Sequence, residues 1–202
     1  MTAQVVLATR NAKKLAELDR LLRAEGIDAQ ILGSDAFADL PEIAETGATF
    51  AENALLKARA VSAHTGLLAV ADDSGLCVDA LNGMPGVLSA RWAGERASDD
   101  ANLDLVLQQI ADVPEGRRDA YFACAAALVA PGGIEHVEQG RVEGELLFEQ
   151  HGTGGFGYDP IFRPVGFHVT TAQMSAEEKD AISHRGQAMR ALLPFIVQAL
   201  GR

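Results

Sequence analysis

A short apolar run that passes directly into an amphipathic helix is the feature that most limits the folds open to this chain. "QVVLAT", residues 4–9, reads as a buried strand. "NAKKLAELDRLLRAEG" follows, with Leu15, Leu18 and Leu22 on one helical stripe and Gly26 as a stop. The same change of period recurs downstream. Thr49 and Glu52 in "TFAE" have capping-box spacing, the helix they open continues through "NALLKARAVSAH", and Gly66 ends it. Strands are predicted at about 67–72 and 76–81 and a helix at about 99–111. Two more strands are predicted in "DAYFACAAALVA" and "IEHVEQGRVEGELLF", around the turn "PGG", and a last helix from Ser183 towards Leu200. Pro194 lies inside that helix and is expected to kink or interrupt it. Near-continuous apolar strands alternating with helices predict an α/β fold whose mixed sheet is covered on its faces.

The 202 residues, 48% of them hydrophobic, suffice for one sizeable core, so residues 1–202 are expected to form a single domain. Seventeen lysines and arginines against 28 aspartates and glutamates leave a net charge of −11. Such a field repels polyanions and argues against a nucleic-acid partner, and an anionic substrate needs locally placed cations. The opening "MTAQVVLATR" lacks the features of a secretory signal, and no run approaches the roughly 18 apolar residues of a membrane span. The expectation is a cytoplasmic protein with no membrane partner. Cys77 and Cys124 stand far apart without metal-ligand spacing and read as small buried hydrophobes.

Four stretches carry candidate chemistry, each with a plainer reading beside it. "ATRNAKK" joins the first strand to its helix, where backbone N–H groups and the helix dipole suit a phosphate; Asn11 is placed to cap, and Lys13 and Lys14 add charge. An ordinary capped helix with two solvated lysines fits as well. "GTGGFGYDP", residues 152–160, contains GxGxxG but runs into Tyr158, Asp159 and Pro160 instead of a long helix, which excludes a dinucleotide fingerprint. Its glycines allow close backbone approach to a ligand, with Phe156 and Tyr158 as stacking faces, or they simply make a connection. In "EEKDAISHRGQ", a cap at Ser183 puts His184 and Arg185 in the first helical turn, where cations oppose the dipole and an anion would relieve them. Lys179 joins them as a phosphate clamp, unless Glu177, Glu178 and Asp180 neutralise the group on the surface. In "VADDSGLCVDAL", Asp72 and Asp73 end an apolar run; neighbours on a strand point to opposite faces, so a proton-sharing dyad is not expected. One of them can hold Mg²⁺, with Glu45 as a second carboxylate, although "DDSG" also has the composition of a turn.

In chain order, "LATRNAKKLAEL", "ETGATFAENALLKA", "ADDSGLCVDAL", "GMPGVLSARWAG", "GTGGFGYDPIF" and "EEKDAISHRGQA" resemble the inosine triphosphate pyrophosphatase family, the dITP/XTP pyrophosphatases that clear deaminated purine nucleotides. The resemblance spans nearly the whole chain. It implies hydrolysis of a purine nucleoside triphosphate to the monophosphate and pyrophosphate, Mg²⁺, a homodimer, and an elongated α/β fold with two lobes around a cleft. Carried over by position, the phosphate-binding loop falls on Thr9, Arg10, Asn11, Ala12, Lys13 and Lys14, and the metal-linked catalytic aspartate, a proton acceptor, on Asp73. Substrate contacts fall on Ser74, on Phe156, Gly157, Tyr158 and Asp159 around the nucleobase, and on Lys179, His184 and Arg185, with Glu45 and Lys57 as further site positions. Arg10 departs from the glycine that the family loop implies. Two alternatives are a pyrophosphatase for modified pyrimidine triphosphates and a nucleotide-binding regulator without turnover.

Overall fold

The computed structural model describes residues 3–201, the Lys13 side chain excepted. Its first elements follow the apolar pattern. β1 (Ala3–Leu7) buries Val5, Val6 and Leu7, and α1 (Ala12–Ala24) buries Leu18 and Leu22 one turn apart before Gly26 turns the chain at φ +70°. β2 (Ala29–Gly33) pairs with β1 in parallel, Val5 opposite Ile31. The sequence reading has no strand there, because "AQILG" is short and buries only Gly33. α2 (Phe50–Thr65) opens with the expected capping box, in which the Thr49 hydroxyl accepts from the Glu52 N–H and the Glu52 carboxylate reaches back. Gly66 closes it in the left-handed region.

β3 (Leu68–Val78) replaces the two strands expected at about 67–72 and 76–81. Its 11 residues stay extended because Ser74 and Gly75 are not a turn. A Cβ on Gly75 would lie 2.3 Å from Ser89 Oγ and 2.4 Å from the Gly86 carbonyl oxygen, so glycine is needed for close packing. β3 runs parallel to β1 and antiparallel to the two-residue β4 (Met84–Pro85). After α3 (Asp99–Gln109), capped by Ser98, come β5 (Asp119–Val129), β6 (Glu135–Leu146) and β7 (Phe162–Pro164), which is antiparallel to β6. The hydrogen-bonded order is β2-β1-β3-β5-β6-β7, with β4 on β3, a mixed α/β sheet as expected.

α4 (Ala176–Ile182) begins at Ser175, whose capping box with Glu178 was present in the sequence as S-x-x-E. α5 (His184–Ala199) follows directly, and the Gly186 N–H donates to Ser183 Oγ at 2.9 Å, as a cap at Ser183 requires. Of the kink or interruption expected at Pro194, the interruption does not occur: the helix is continuous through it. Ala188, Met189, Leu192, Leu193 and Ile196 are all buried, and that packing outweighs the one intrahelical bond a proline cannot donate.

Packing divides the chain into two compact units. The first takes the chain up to Asp73, Ala125–Gln139 and the chain from Gln187; the second takes Ser74–Cys124 and Gly140–Gly186. In the first, Ala54 and Ala58 of α2 pack with Ala71, Ala125 and Ala127, and small side chains bring helix and sheet close together. In the second, Leu76, Leu103, Val106, Ile110, Leu146, Tyr158 and Phe162 form the core. Cys77 and Cys124 are both buried and unbridged, as expected. No helix among the described residues is long and apolar enough to cross a membrane.

The second unit is also tied by a buried cation. Arg118 is 3% exposed, and its guanidinium donates to the carbonyls of Ile110, Val113, Leu146 and Leu147 at 2.7–3.2 Å, with the Phe148 ring 4.3 Å away. One side chain therefore joins the end of α3 to the end of β6. Arg118→Ala removes these four hydrogen bonds from the buried junction and is expected to lower stability by about 3 kcal/mol, with Arg118→Lys recovering part of it. Urea unfolding of purified variants measures this, and a loss below about 1 kcal/mol would show that other groups hold the junction.

Candidate active site

In the first unit, the polar cluster is built on the last residues of β3 that belong to it. Asp72 is buried, and Lys14 from the first turn of α1 reaches its Oδ2 at 2.7 Å. Asp73 takes different partners. Asn53 Nδ2 donates to Asp73 Oδ2 at 3.0 Å, and Lys57 Nζ lies 3.6 Å from Oδ1 while bonding Glu45 Oε1 at 2.5 Å. Asn53 and Lys57 are four apart on α2 and so share one face. The adjacent aspartates are thus two separately paired carboxylates, in keeping with the alternation of an extended strand.

Burial pushes the Asp73 carboxyl above the usual carboxylate range; Lys57 and the Asn53 hydrogen bond restrain the rise, and Glu45 and Asp72 add to it. Burial pulls the Lys57 ammonium down, but Asp73, Glu45 and Asp72 together more than reverse this and leave it above the ordinary lysine value. The result is a carboxylate biased towards accepting a proton beside a lysine that stays charged. In the loop ahead of α1, Thr9 Oγ1 accepts from the Asn11 N–H at 3.1 Å and the Thr9 carbonyl accepts from Ser34 at 2.9 Å; the Asn11 carbonyl accepts from Leu15 at 3.2 Å, so Asn11 holds the cap position and Ala12 begins the helix. Arg10 is exposed. The Lys13 side chain lies outside the described residues.

The second unit holds a solvent-open recess with an enclosed volume of about 130 Å³. Ser74, Gly75, Asp99, Phe122, Phe156 and His184 are among its walls. The glycine-rich segment wraps around Asp159, whose Oδ2 accepts from the Phe156 N–H at 2.8 Å and from Lys179, and whose Oδ1 accepts from Thr171 at 2.8 Å. A Cβ on Gly155 would lie 2.1 Å from Asp159 Oδ2, and Gly155 has φ +73°, so glycine is required there on both counts.

This wrapping leaves Phe156 53% exposed, with Lys179 Nζ 4.7 Å from its ring centre. Tyr158, paired with Phe156 as a stacking face in the sequence reading, is instead 5% exposed in the core and donates its hydroxyl to the Ser89 carbonyl. Gly157 is fixed by Asp99, which accepts its N–H at 2.9 Å. His184 stacks on Phe122 with ring centres 5.0 Å apart, and the buried Arg185 donates to Ser74 Oγ at 3.3 Å. Lys179 pairs with Asp159, and Glu178 is engaged in the capping box of α4.

Sequence reasoning missed Asn53, Asp99 and Phe122. Asn53 looked like an ordinary helical residue, and Phe122 like one more apolar strand position. Asp99 had a signal, since it follows the cap Ser98 at the start of a helix, but helix starts are acidic for reasons unrelated to ligands.

With this geometry established, comparison with known proteins gives one consistent answer. The Ham1 family model matches residues 5–195. A Streptomyces coelicolor protein named dITP/XTP pyrophosphatase is 57% identical over 198 residues, covering 98% of this chain and 99% of that protein. Among solved structures, a HAM1 protein from Coxiella burnetii superposes with a TM-score of 0.90 at 41% identity, covering 98% of this chain and 100% of that one. The nucleoside-triphosphatase, dITP/XTP pyrophosphatase, of Mycobacterium abscessus superposes at 0.81 with 52% identity, covering 96% and 99%. The family model matched over residues 5–195 and the full-length similarity to these proteins establish that this chain belongs to the Ham1 family.

Proposed function

We propose that this protein is a nucleoside triphosphate pyrophosphatase that hydrolyses deaminated purine nucleotides, ITP, dITP and XTP among them, to the monophosphate and pyrophosphate. The observation that carries the reading is Asp73, a buried carboxylate with a raised proton affinity held between Asn53 and Lys57. The full-length relatives named dITP/XTP pyrophosphatase support the choice of substrate. In this reading a water oxygen attacks the α phosphorus, Asp73 accepts the water proton, and the bond from the α phosphorus to the bridging oxygen breaks to release pyrophosphate. The family resemblance implies a homodimer, and light scattering from purified protein tests it.

The donor chemistry fits Mg²⁺. This ion takes oxygen ligands, often one or two carboxylates, and keeps waters and substrate phosphates for the rest of its shell. Asp73 and Glu45 would hold it, and it would neutralise polyphosphate charge. No group of three His, Cys, Asp or Glu side chains suited to a metal occurs among the described residues. The remaining charge falls to this chain's own cations. Lys14 and Lys57, with the loop from Thr9 to Lys14, are assigned to the phosphates, which lets a chain of net charge −11 accept a polyanion. Lys179 is assigned to the base side, since its ammonium lies against the Phe156 ring. Phe156 supplies the stacking surface, and Ser74, His184 and Arg185 supply polar contacts at the base.

Selectivity follows from edge chemistry. Inosine and xanthine carry a 6-oxo acceptor where adenine carries a 6-amino donor. A donor at that edge leaves adenine facing donor against donor, and such a site can reject the mismatch by as much as roughly 10⁴-fold. Guanine shares the 6-oxo group, so its exclusion acts at the 2-amino position.

Incubating purified protein with ITP, XTP, ATP, GTP and modified pyrimidine triphosphates in Mg²⁺, and identifying every phosphorus product, tests the reading. Pyrophosphate from ITP and XTP in preference to ATP and GTP is expected; preference for a pyrimidine, or nucleotide binding without turnover, would overturn it. Asp73→Asn keeps the size but removes the proton acceptor, so kcat on ITP is expected to fall at least about 10²-fold in a folded protein. Near-normal turnover would move the role to another residue. Arg185→Ala is expected to lower kcat/KM for ITP far more than for ATP; an equal fall in both would make Arg185 a phosphate contact.

A further inference from the structure

Asn53 makes no apparent chemical contribution of its own, yet it is 0% exposed and each end of its amide is used. Its Nδ2 donates to Asp73 Oδ2 at 3.0 Å, and its Oδ1 accepts the Gly47 N–H at 2.7 Å. These bonds fix which way the amide faces, because a flip would set an oxygen against a carboxylate and an NH₂ against an N–H. They also join two parts of the cluster. Gly47 is two residues from Glu45 in the loop ahead of α2, and Asp73 sits on β3. A Cβ on Gly47 would lie 2.7 Å from Asn53 Oδ1, so the loop can approach the amide this closely only with glycine at that position.

We infer that Asn53 is a positioning residue for hydrolysis, locking Asp73 Oδ2 so that Oδ1 is the oxygen presented to the reacting water, and holding the Glu45 loop through Gly47. The inference rests on the pyrophosphatase reading and adds a residue to it. Without the Nδ2 donor, the Asp73 carboxylate can rotate about its last torsion, which is broad and roughly two-fold for aspartate. The oxygen that Lys57 faces at 3.6 Å is then no longer fixed. A misplacement near 1 Å can cost about 10²-fold in rate, so positioning alone carries a measurable effect.

Asn53→Leu keeps the approximate volume and removes both bonds. The test is a double-mutant cycle on kcat for ITP with wild type, Asn53→Leu, Asp73→Asn and the double variant, together with amide hydrogen exchange at Gly47. Asn53→Leu is expected to lower kcat about 10- to 100-fold with little change in KM, and to add almost nothing once Asp73 is already asparagine. Exchange at Gly47 is expected to accelerate in Asn53→Leu while Asp73→Asn leaves it protected. Costs that multiply in the double variant, or a fall in kcat/KM that comes from KM alone, would make Asn53 a structural residue and overturn the inference. Unchanged exchange at Gly47 would overturn the loop half. Should Asn53→Leu fail to fold, Asn53→Ser is the second variant, with the same expectations. Wild-type protein that releases no pyrophosphate overturns the function reading itself, whereas active wild type with an equally active Asn53→Leu overturns only the role given to Asn53.

Discussion

Two carboxylates on consecutive residues of a buried strand set the terms for everything around them in the first unit. A charge taken out of water is costly unless it is paired and hydrogen-bonded, and β3 buries both Asp72 and Asp73. The compensation comes from two helices. α1 contributes Lys14 from its first turn, and α2 contributes Asn53 and Lys57 from one face. This constrains helix register as well as charge, since shifting α2 by one residue would carry both groups off the strand. Parallel pairing of β1 with β3, Leu7 opposite Val70, sets where α1 begins relative to Asp72. A fold that needs these partners for stability has therefore already assembled a cation beside a buried carboxylate.

The second unit meets its own demand for neutralisation differently. Asp159 is buried and draws a loop N–H, a threonine hydroxyl and the Lys179 ammonium to itself. Satisfying that carboxylate shapes the glycine segment, and the shape leaves Phe156 exposed over Lys179. Glycine at 155 is needed because the chain passes too close to Asp159 for any side chain. The same logic accounts for Arg118, a buried cation satisfied by four carbonyls at the junction of α3 and β6.

Much of the frame was legible because it depends on local rules. Thr49 with Glu52, Gly66 after α2 and Ser183 before α5 each announce a helix end through bonds made within four residues. The aspartates and lysines of the first unit were legible as residue types, and their pairing required only that a buried carboxylate find a cation. What was not legible depends on distant contacts. The unbroken course of β3 turns on Ser89 packing against Gly75, and the continuity of α5 through Pro194 turns on a buried stripe. Asn53 and Arg118 gave no signal, since each depends on a partner distant in sequence, Asp73 at 20 residues and Leu146 at 28. The burial of Tyr158 against the exposure of Phe156 was equally hidden, because two aromatic residues in one glycine loop look alike until the loop closes around Asp159.

The central claim is that water attacks the α phosphorus with Asp73 as proton acceptor. The most direct measurement is turnover of ITP in water enriched in heavy oxygen, with the label located by phosphorus spectroscopy. The account predicts one labelled oxygen on the monophosphate and none on pyrophosphate. Label in pyrophosphate, or stepwise release of inorganic phosphate, would contradict it.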